Sequence, residues 1–148
     1  MTRGRCVANC KVLQKRFSQN SGITKKMKSG MNIYKQRDIV LVPFPFSNLS
    51  GQKVRPVLIV SNDVYNQQSA DVVVCGLTTN LRPAPYSIII DVTDVEQLGT
   101  LRHKSKIKID AIASLEQSLL IKQIARLKLS LFKQVIAQLE DLIELPSS

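Results

Sequence analysis

The sequence predicts a small, mainly β domain in which a curled antiparallel sheet carries one packed helix. Two patterns support this: short apolar, β-rich segments recur along the chain, and one amphipathic helical segment follows them. An amphipathic helix must bury its apolar stripe against another layer, and the sheet supplies that layer. With 148 residues, of which 44% are hydrophobic, the chain suits a single domain with a modest core.

The strand pattern recurs in six segments with different expected surroundings. The third, DVVVCGL, is nearly all apolar, which is typical of a strand buried on both faces. The fifth, KIKIDAI, alternates polar and apolar residues, which predicts one solvent-exposed face. The predicted strands are residues 39–42, 57–60, 71–77, 86–92, 106–112 and 119–127.

Turn-forming residues separate the first two strands. Because proline cannot donate to a strand ladder, we expect the first strand to end before Pro43 and the second to open at Arg55 and Pro56. This places Arg55 at the junction between a loop and a rigid strand. The intervening turn formers are Pro43, Pro45, Ser47, Asn48, Ser50 and Gly51.

Helix signals occur late in the chain. Residues 62–66 are expected to form a polar connection and residues 81–85 a loop. Ser114 and Gln117 have capping-box spacing, which predicts one helical turn. Ser130 is predicted to cap the final helix, and Pro146 lies beyond its end. The apolar face of this helix holds Leu131, Phe132, Val135, Ile136, Leu139, Leu142 and Ile143.

Positive charge is concentrated at the start of the chain. Residues 1–30 hold eight basic and no acidic residues, which leaves 13 of the 21 basic residues against 11 acidic ones elsewhere. We expect residues 1–30 to be a disordered tail. One alternative is that they are not part of the natural product, which would then start at Met31; the functional alternative is that their cations add non-specific affinity for nucleic acid. In the nearly neutral body, nucleic acid must be attracted by a few local cations.

Several functional classes are disfavoured. Three cysteines argue against a disulfide framework, and Cys75 is predicted to be a buried strand residue. Cys6 and Cys10 lack partners at metal-ligand spacing, so no metal site is expected. His103, in a basic loop, is the single histidine of the chain, and a ribonuclease site built from two histidines is therefore excluded. Without a signal sequence or an apolar run near the roughly 18 residues that span a bilayer, the expected location is the cytoplasm, with no membrane contact.

Three segments carry a family resemblance. DIVLVPFPF, SGQKVRPVLIVSN and DVVVCGLTTN occur in this order and resemble the MazF/PemK toxins, the ribonuclease members of type II toxin–antitoxin pairs. The resemblance covers residues 33–143 and implies a toxin domain over residues 31–148. It also implies an SH3-like small β-barrel of the CcdB/PemK type, with a C-terminal helix on the sheet, assembled as a homodimer. Many members have Gly where this chain has Arg37.

The resemblance also implies catalytic residues. Arg55 of the Arg-Pro motif would present a planar fork of donors to phosphate oxygens, although arginine is a poor base. Thr78 would contribute a hydroxyl. Because alternate strand residues face opposite sides, only one of Thr78 and Thr79 can point into the site, and the resemblance favours Thr78.

Further residues are predicted to contact RNA. Lys53 and Lys108 are candidates for phosphate contacts. Phe46 is a candidate for stacking on bases, as is Phe44, although both could instead anchor the loop in the core. Ser61, Asn62 and Thr79 complete the expected RNA-binding set, and Ser61 and Asn62 have an alternative role as ordinary turn formers.

The function implied by the resemblance is a metal-independent, sequence-preferring endoribonuclease that cuts single-stranded mRNA and needs no cofactor. Attack by the 2′-OH would give a 2′,3′-cyclic phosphate and a 5′-OH. Its partner would be a cognate antitoxin, similar to MazE or PemI, with an acidic disordered tail. One alternative is a non-enzymatic, CcdB-like inhibitor of DNA gyrase; such toxins carry a functional Trp near the C-terminus, and this chain has no Trp. The other is a degenerate member that only binds antitoxin or RNA.

Overall fold

A computed structural model describes residues 34–44, 53–96 and 101–147. Within these ranges six strands form one sheet, and two α-helices accompany it. Short 3₁₀ turns follow the fourth and fifth strands. The strands are β1 (Asp38–Phe44), β2 (Lys53–Ile59), β3 (Asp71–Thr78), β4 (Ser87–Ile90), β5 (Ser105–Glu116) and β6 (Lys122–Arg126), and the helices are α1 (Asp63–Gln68) and α2 (Leu129–Leu142).

The sheet is antiparallel and curls back on itself. Its strand order is β4-β5-β3-β2-β1-β6, so β4 and β6 form its edges. The segment after β4 then bonds to the end of β6: Glu96 N donates to Arg126 O (2.7 Å) and Lys128 N donates to Asp94 O (3.0 Å). These bonds bring the two edges together into a barrel-like curl, which confirms the predicted mainly β fold with a C-terminal helix.

Apolar side chains fill both faces of the central strands. On one face, Leu58 and Cys75 belong to the cluster that packs against Phe132 and Val135 of α2. On the other face, alternate residues form a second cluster that Leu120 helps to cover. The parts of β2 and β3 that are covered on both sides, residues 57–59 and 72–75, are continuously apolar in sequence. The second cluster comprises Val40, Val42, Val57, Ile59, Val72, Val74 and Leu120.

Asp38 is a buried carboxylate that joins β1 to β6. It accepts hydrogen bonds from Lys35 N (2.9 Å), Gln123 Nε2 (2.9 Å) and Arg126 Nε (2.8 Å). The hydrogen bond to Asp38 raises the pKa of Arg126, against the opposing effect of partial burial. The charge of Asp38 is therefore compensated at a position that is only 2% exposed.

The strand boundaries predicted at the prolines are wrong, because the first strand continues past Pro43 and the second begins at Lys53 rather than at Arg55 and Pro56. Pro43 lies inside β1 opposite Val54, and Pro56 lies inside β2 opposite Leu41. Here β1 and β2 pair only with each other, because β6 pairs with β1 no further than Leu41 and β3 pairs with β2 only from Val57. On this two-stranded extension, a proline ring can face the open edge without removing a ladder hydrogen bond.

Three local predictions also require correction. Residues 62–66 include the start of a helix, α1, where Asn62 Oδ1 accepts from Tyr65 N (2.8 Å). The 3₁₀ turn near the predicted capping box begins at Gln117, while Ser114 remains in β5. The helix α2 begins one residue before Ser130 and has no side-chain cap. In the last two cases, a side chain with capping chemistry predicts a boundary that strand pairing or the local turn decides instead.

The final helix otherwise matches its predicted face. Phe132 and Val135 are buried, and four further apolar residues of the face pack against the same cluster. Ile143 is an exception, because it lies just beyond the helix and is 74% exposed. Pro146 follows the helix end as predicted.

Arg37, in the turn immediately before β1, has a left-handed backbone conformation, with φ of 76°. A side chain is strained in this region, whereas glycine is not. Arg37 Nη1 donates to Glu96 Oε1 and to Leu127 O, both at 3.2 Å. These contacts reinforce the junction between the two sheet edges and offset part of the strain.

The two effects at Arg37 can be separated by substitution. Arg37→Ala keeps the strain but loses the ion pair, which should lower the free energy of unfolding by about 0.5–1 kcal/mol. Arg37→Gly loses the same contacts but relieves the strain, so it should be more stable than Arg37→Ala by about 1 kcal/mol. Urea unfolding of both variants measures the difference, and an alanine variant as stable as the glycine variant would contradict the strain.

Candidate active site

Arg55 and Thr78 lie at the same end of neighbouring strands. The last register pair between β2 and β3 joins Val57 to Gly76. Arg55 is two residues from Val57, and Thr78 is two residues from Gly76 in the opposite chain direction. Because side chains two apart on a strand share a face, both point to the face of the Val57–Gly76 pair. Both side chains are half-buried.

A cavity of about 340 Å³ lies between these residues. Its wall includes Arg55, Thr78 and Lys108, and its floor is made by short or apolar residues. Lys108 reaches it because it pairs with Gly76 across β3 and β5. The floor residues are Val57, Val74, Gly76, Leu77, Ala111, Ile112, Ala113 and Leu115, with Pro56 at the edge.

The charge of this cavity is of one sign in the described part of the chain. Arg55 and Lys108 are its only charged lining residues there, and no carboxylate lines it. Two cations, a hydroxyl and an apolar floor suit an anion that carries an organic group, such as a nucleotide phosphate. The arrangement can stabilise negative charge that develops on phosphorus-bound oxygens.

Thr79 faces a different cavity. It lines a space of about 590 Å³ together with Arg102, His103 and Lys122. Thr78 and Thr79 thus point to opposite faces, as strand alternation predicts. The structure does not bring Thr79 together with Arg55 and Lys108.

Two other predicted RNA contacts, Ser61 and Asn62, lie beyond the far end of β2 and form local structure. Val73 N donates to Ser61 Oγ (3.0 Å), and Ser61 Oγ donates to Asn66 Oδ1. Asn62 caps α1. These bonds match the alternative role of Ser61 and Asn62 as turn formers.

The remaining predicted RNA contacts do not lie in the cavity of Arg55 and Thr78 as the structure describes it. Lys53 is exposed at the start of β2, two residues before Arg55, and does not line the 340 Å³ cavity. Phe46 lies outside the described residues, as do Cys6 and Cys10 and the expected disordered tail at residues 1–30.

Sequence reasoning did not single out Lys106, which pairs directly with Thr78 across β3 and β5. Lys106 is only 6% exposed, and its Nζ donates to Arg82 O (2.6 Å). The signal was present in the alternation of KIKID, which places Lys106 and Lys108 on one face. This pattern did not predict that Lys106 is buried, because lysines that alternate with apolar residues in a strand normally lie on its solvated face.

Two exclusions apply to the described ranges. No three His, Cys, Asp or Glu side chains there are grouped so that they could hold a metal ion. No helix there is long and apolar enough to cross a membrane.

Cys75 is a buried core residue, as predicted. Burial, and secondarily the charge of Asp110, raises the pKa of its thiol from 9.0 to about 11. Its Sγ lies 3.7 Å from Ile109 O. The thiol is therefore protonated at neutral pH and lies on the face of β3 opposite Thr78.

The raised pKa of Cys75 predicts a loss of stability in alkali. Between pH 9 and 11 the unfolded thiol ionises while the folded thiol keeps its proton, so unfolding becomes more favourable as the pH rises. The urea midpoint should drop between pH 8 and pH 10.5, and this drop should be larger for the natural chain than for Cys75→Ala. Equal falls would show that Cys75 does not contribute, since all other titrating groups are shared.

Comparisons with known proteins extend these observations. A family model described as the PemK-like, MazF-like toxin of type II toxin–antitoxin systems matches residues 35–143. No sequence among curated proteins matches the chain.

Solved structures share the fold at low sequence identity. An endoribonuclease from a mycobacterial species has a TM-score of 0.60 and 23% identity, covering 80% of this chain and 99% of its own. A MazE–MazF structure from Deinococcus radiodurans has a TM-score of 0.63 and 18% identity, with 78% and 100% covered. The Mycobacterium tuberculosis toxin MazF-mt6 has a TM-score of 0.60 and 22% identity, with 75% and 100% covered.

Proposed function

Because this chain belongs to the PemK-like, MazF-like toxins of type II toxin–antitoxin systems, we propose that it is an endoribonuclease. Its substrate would be single-stranded mRNA, cut with sequence preference and without a metal ion. The observation that carries the proposal is the shared cavity of Arg55, Thr78 and Lys108. Structures of the same fold that include endoribonucleases give further support.

The proposed reaction is an in-line displacement at phosphorus. The ribose 2′-OH loses its proton to water and its oxygen bonds to phosphorus, and the bond from phosphorus to the 5′-oxygen breaks as that oxygen takes a proton from water. The products are a 2′,3′-cyclic phosphate and a 5′-OH end. The chemistry needs charge stabilisation on the phosphorane and two proton transfers.

Arg55 is assigned the role of stabilising the negative charge that develops on the phosphorane. Its guanidinium offers paired donors that match two phosphate oxygens, and it lies in a partly buried wall where such bonds are stronger than in water. Lys108 adds a second positive charge from the opposite strand. We assign Arg55 charge stabilisation rather than proton abstraction, because a guanidinium has no acceptor site.

Thr78 is assigned a hydrogen bond to the phosphate or to the attacking oxygen. Its hydroxyl lies at the end of β3, on the rim of the cavity that Arg55 lines. The apolar floor excludes water from one side of the site, which strengthens the polar contacts.

The proposed partners follow the same charge pattern. A cavity with two cations would accept the acidic, disordered tail of an antitoxin in place of RNA. Among structures of this fold are a MazE–MazF complex and an endoribonuclease with its cognate antitoxin. We further propose that the chain acts in the cytoplasm as a homodimer, with RNA in a groove between the subunits.

Substitution of Arg55 provides the main test. The full chain, incubated with long single-stranded RNA in EDTA, should give discrete fragments that end in cyclic phosphate. Arg55→Ala should lower the cleavage rate by roughly 10²–10³, the cost of removing an oxyanion-stabilising donor. The matched control is Arg102→Ala, which changes an exposed arginine that lines the other cavity.

Two outcomes would contradict the proposal. A folded Arg55→Ala variant with full activity would remove Arg55 from the mechanism. No cleavage by the natural chain would favour a toxin that only binds its target, and gyrase inhibition would be tested next.

The two threonines offer a paired test. Thr78→Val removes the hydroxyl at nearly constant volume and should reduce cleavage by about 10- to 100-fold if it donates to the reacting phosphate. Thr79→Val makes the same change on the opposite face and should cost much less. Single-turnover rates of both variants measure the difference, and a larger loss for Thr79→Val would reverse the assignment.

A further inference from the structure

We propose that Lys106 is a positioning residue that holds the Thr78 hydroxyl in its reactive orientation through Asn80 and Arg82. The inference rests on the proposed function, in which Thr78 contacts the scissile phosphate. It adds to that function a residue on the neighbouring strand that does not touch RNA.

Among the described residues, Lys106 is a buried cation without a charged partner. It is 6% exposed, and its Nζ donates to Arg82 O (2.6 Å). No carboxylate among the described residues pairs with it. Burying an ammonium group against a single neutral carbonyl costs stability rather than providing it. Stability alone therefore does not account for a lysine at this position.

Three hydrogen bonds, linked through the covalent framework of Asn80 and Arg82, connect Thr78 to Lys106, and the pairing of β3 with β5 closes the circuit. Thr78 Oγ1 accepts from Asn80 N (3.2 Å), and Asn80 Oδ1 accepts from Arg82 N (3.1 Å). Arg82 O then accepts from Lys106, which pairs with Thr78 across β3 and β5. Residues opposed in this way share a face and lie close together, so the circuit returns to its start.

The circuit fixes how Thr78 can bond. A hydroxyl has one proton to donate and two acceptor positions. Because the amide of Asn80 occupies one acceptor position, the hydroxyl proton must point away from that amide, and it can be donated to a phosphate oxygen. The role of Thr78 would then be that of a donor.

The circuit also explains why a buried anchor is needed. Thr79, Asn80 and Arg82 are exposed, and side-chain-to-backbone bonds in exposed turns are weak. Lys106 ties the carbonyl at the far end of the turn to a central strand. Without that tie, Asn80 and its amide would be free to move relative to Thr78.

Lys106→Met separates positioning from a purely structural role. Methionine keeps an apolar stem of similar length but removes the charge and the donor. The urea midpoint should stay equal or rise, because a buried charge is lost. The turnover number kcat should fall by about 10- to 100-fold, because the reacting hydroxyl is misplaced. KM for RNA should be nearly unchanged.

Three further variants sharpen the test. Asn80→Ala breaks the circuit at an exposed residue and should lower kcat similarly, whereas Lys106→Arg keeps a donor and should retain more activity than Lys106→Met. The control is Lys104→Met, an equal loss of charge at an exposed site two residues away, which should leave kcat intact. A higher KM and a flatter salt dependence in Lys106→Met would instead indicate a direct phosphate contact and overturn positioning.

A second measurement needs no RNA. In the natural chain, hydrogen exchange by NMR should show protection of the Arg82 amide, and Lys106→Met should lose that protection. If the natural chain fails to cut RNA, the proposed function fails while this result still tests the circuit. If the natural chain cuts RNA and Lys106→Met cuts equally fast, or if the protection is unchanged, the inference about Lys106 is overturned.

Discussion

The pairing of Val57 with Gly76 is the constraint on which the candidate site depends. It is the last ladder position shared by β2 and β3, and it fixes which residues of the two strands meet beyond it. A shift of one residue would turn either Arg55 or Thr78 to the opposite face. The apolar residues that pack on both faces hold this register, because a shift would also exchange the members of the two core clusters.

A bulge in β5 determines which residues of that strand reach the candidate site. Cys75 pairs with Ile112, but the next residue, Gly76, pairs with Lys108, so three residues of β5 have no partner in β3. A bulge bends its strand and changes the direction of the side chains that follow. Here it places Lys108 and Lys106 beside Gly76 and Thr78, and it adds Ala111 to the cavity floor. The same irregularity therefore curves the sheet and concentrates positive charge at one end of it.

Among the described residues, two charges near the edges of the sheet are paired with opposite charges. Asp38 is compensated by Arg126, and Arg37 pairs with Glu96 where the sheet edges meet. At the candidate site, Lys106 donates to a carbonyl, and no carboxylate of the described residues lines the cavity beside Lys108. A lining with this charge pattern suits a phosphate or an acidic partner segment.

The sequence by itself determined the strands, the final helix, the burial of Cys75 and the family, because each depends on local periodicity or on motifs contiguous in the chain. It also separated Thr78 from Thr79, since alternation is a property of one strand. Only the tertiary structure decided that Pro43 and Pro56 lie within strands. It also decided that Ser61 and Asn62 belong to a capping region and that Lys106 pairs with Thr78 across neighbouring strands. These outcomes depend on which strand is the neighbour and where its ladder ends, and pairing between segments distant in the chain leaves no periodic signal in either one.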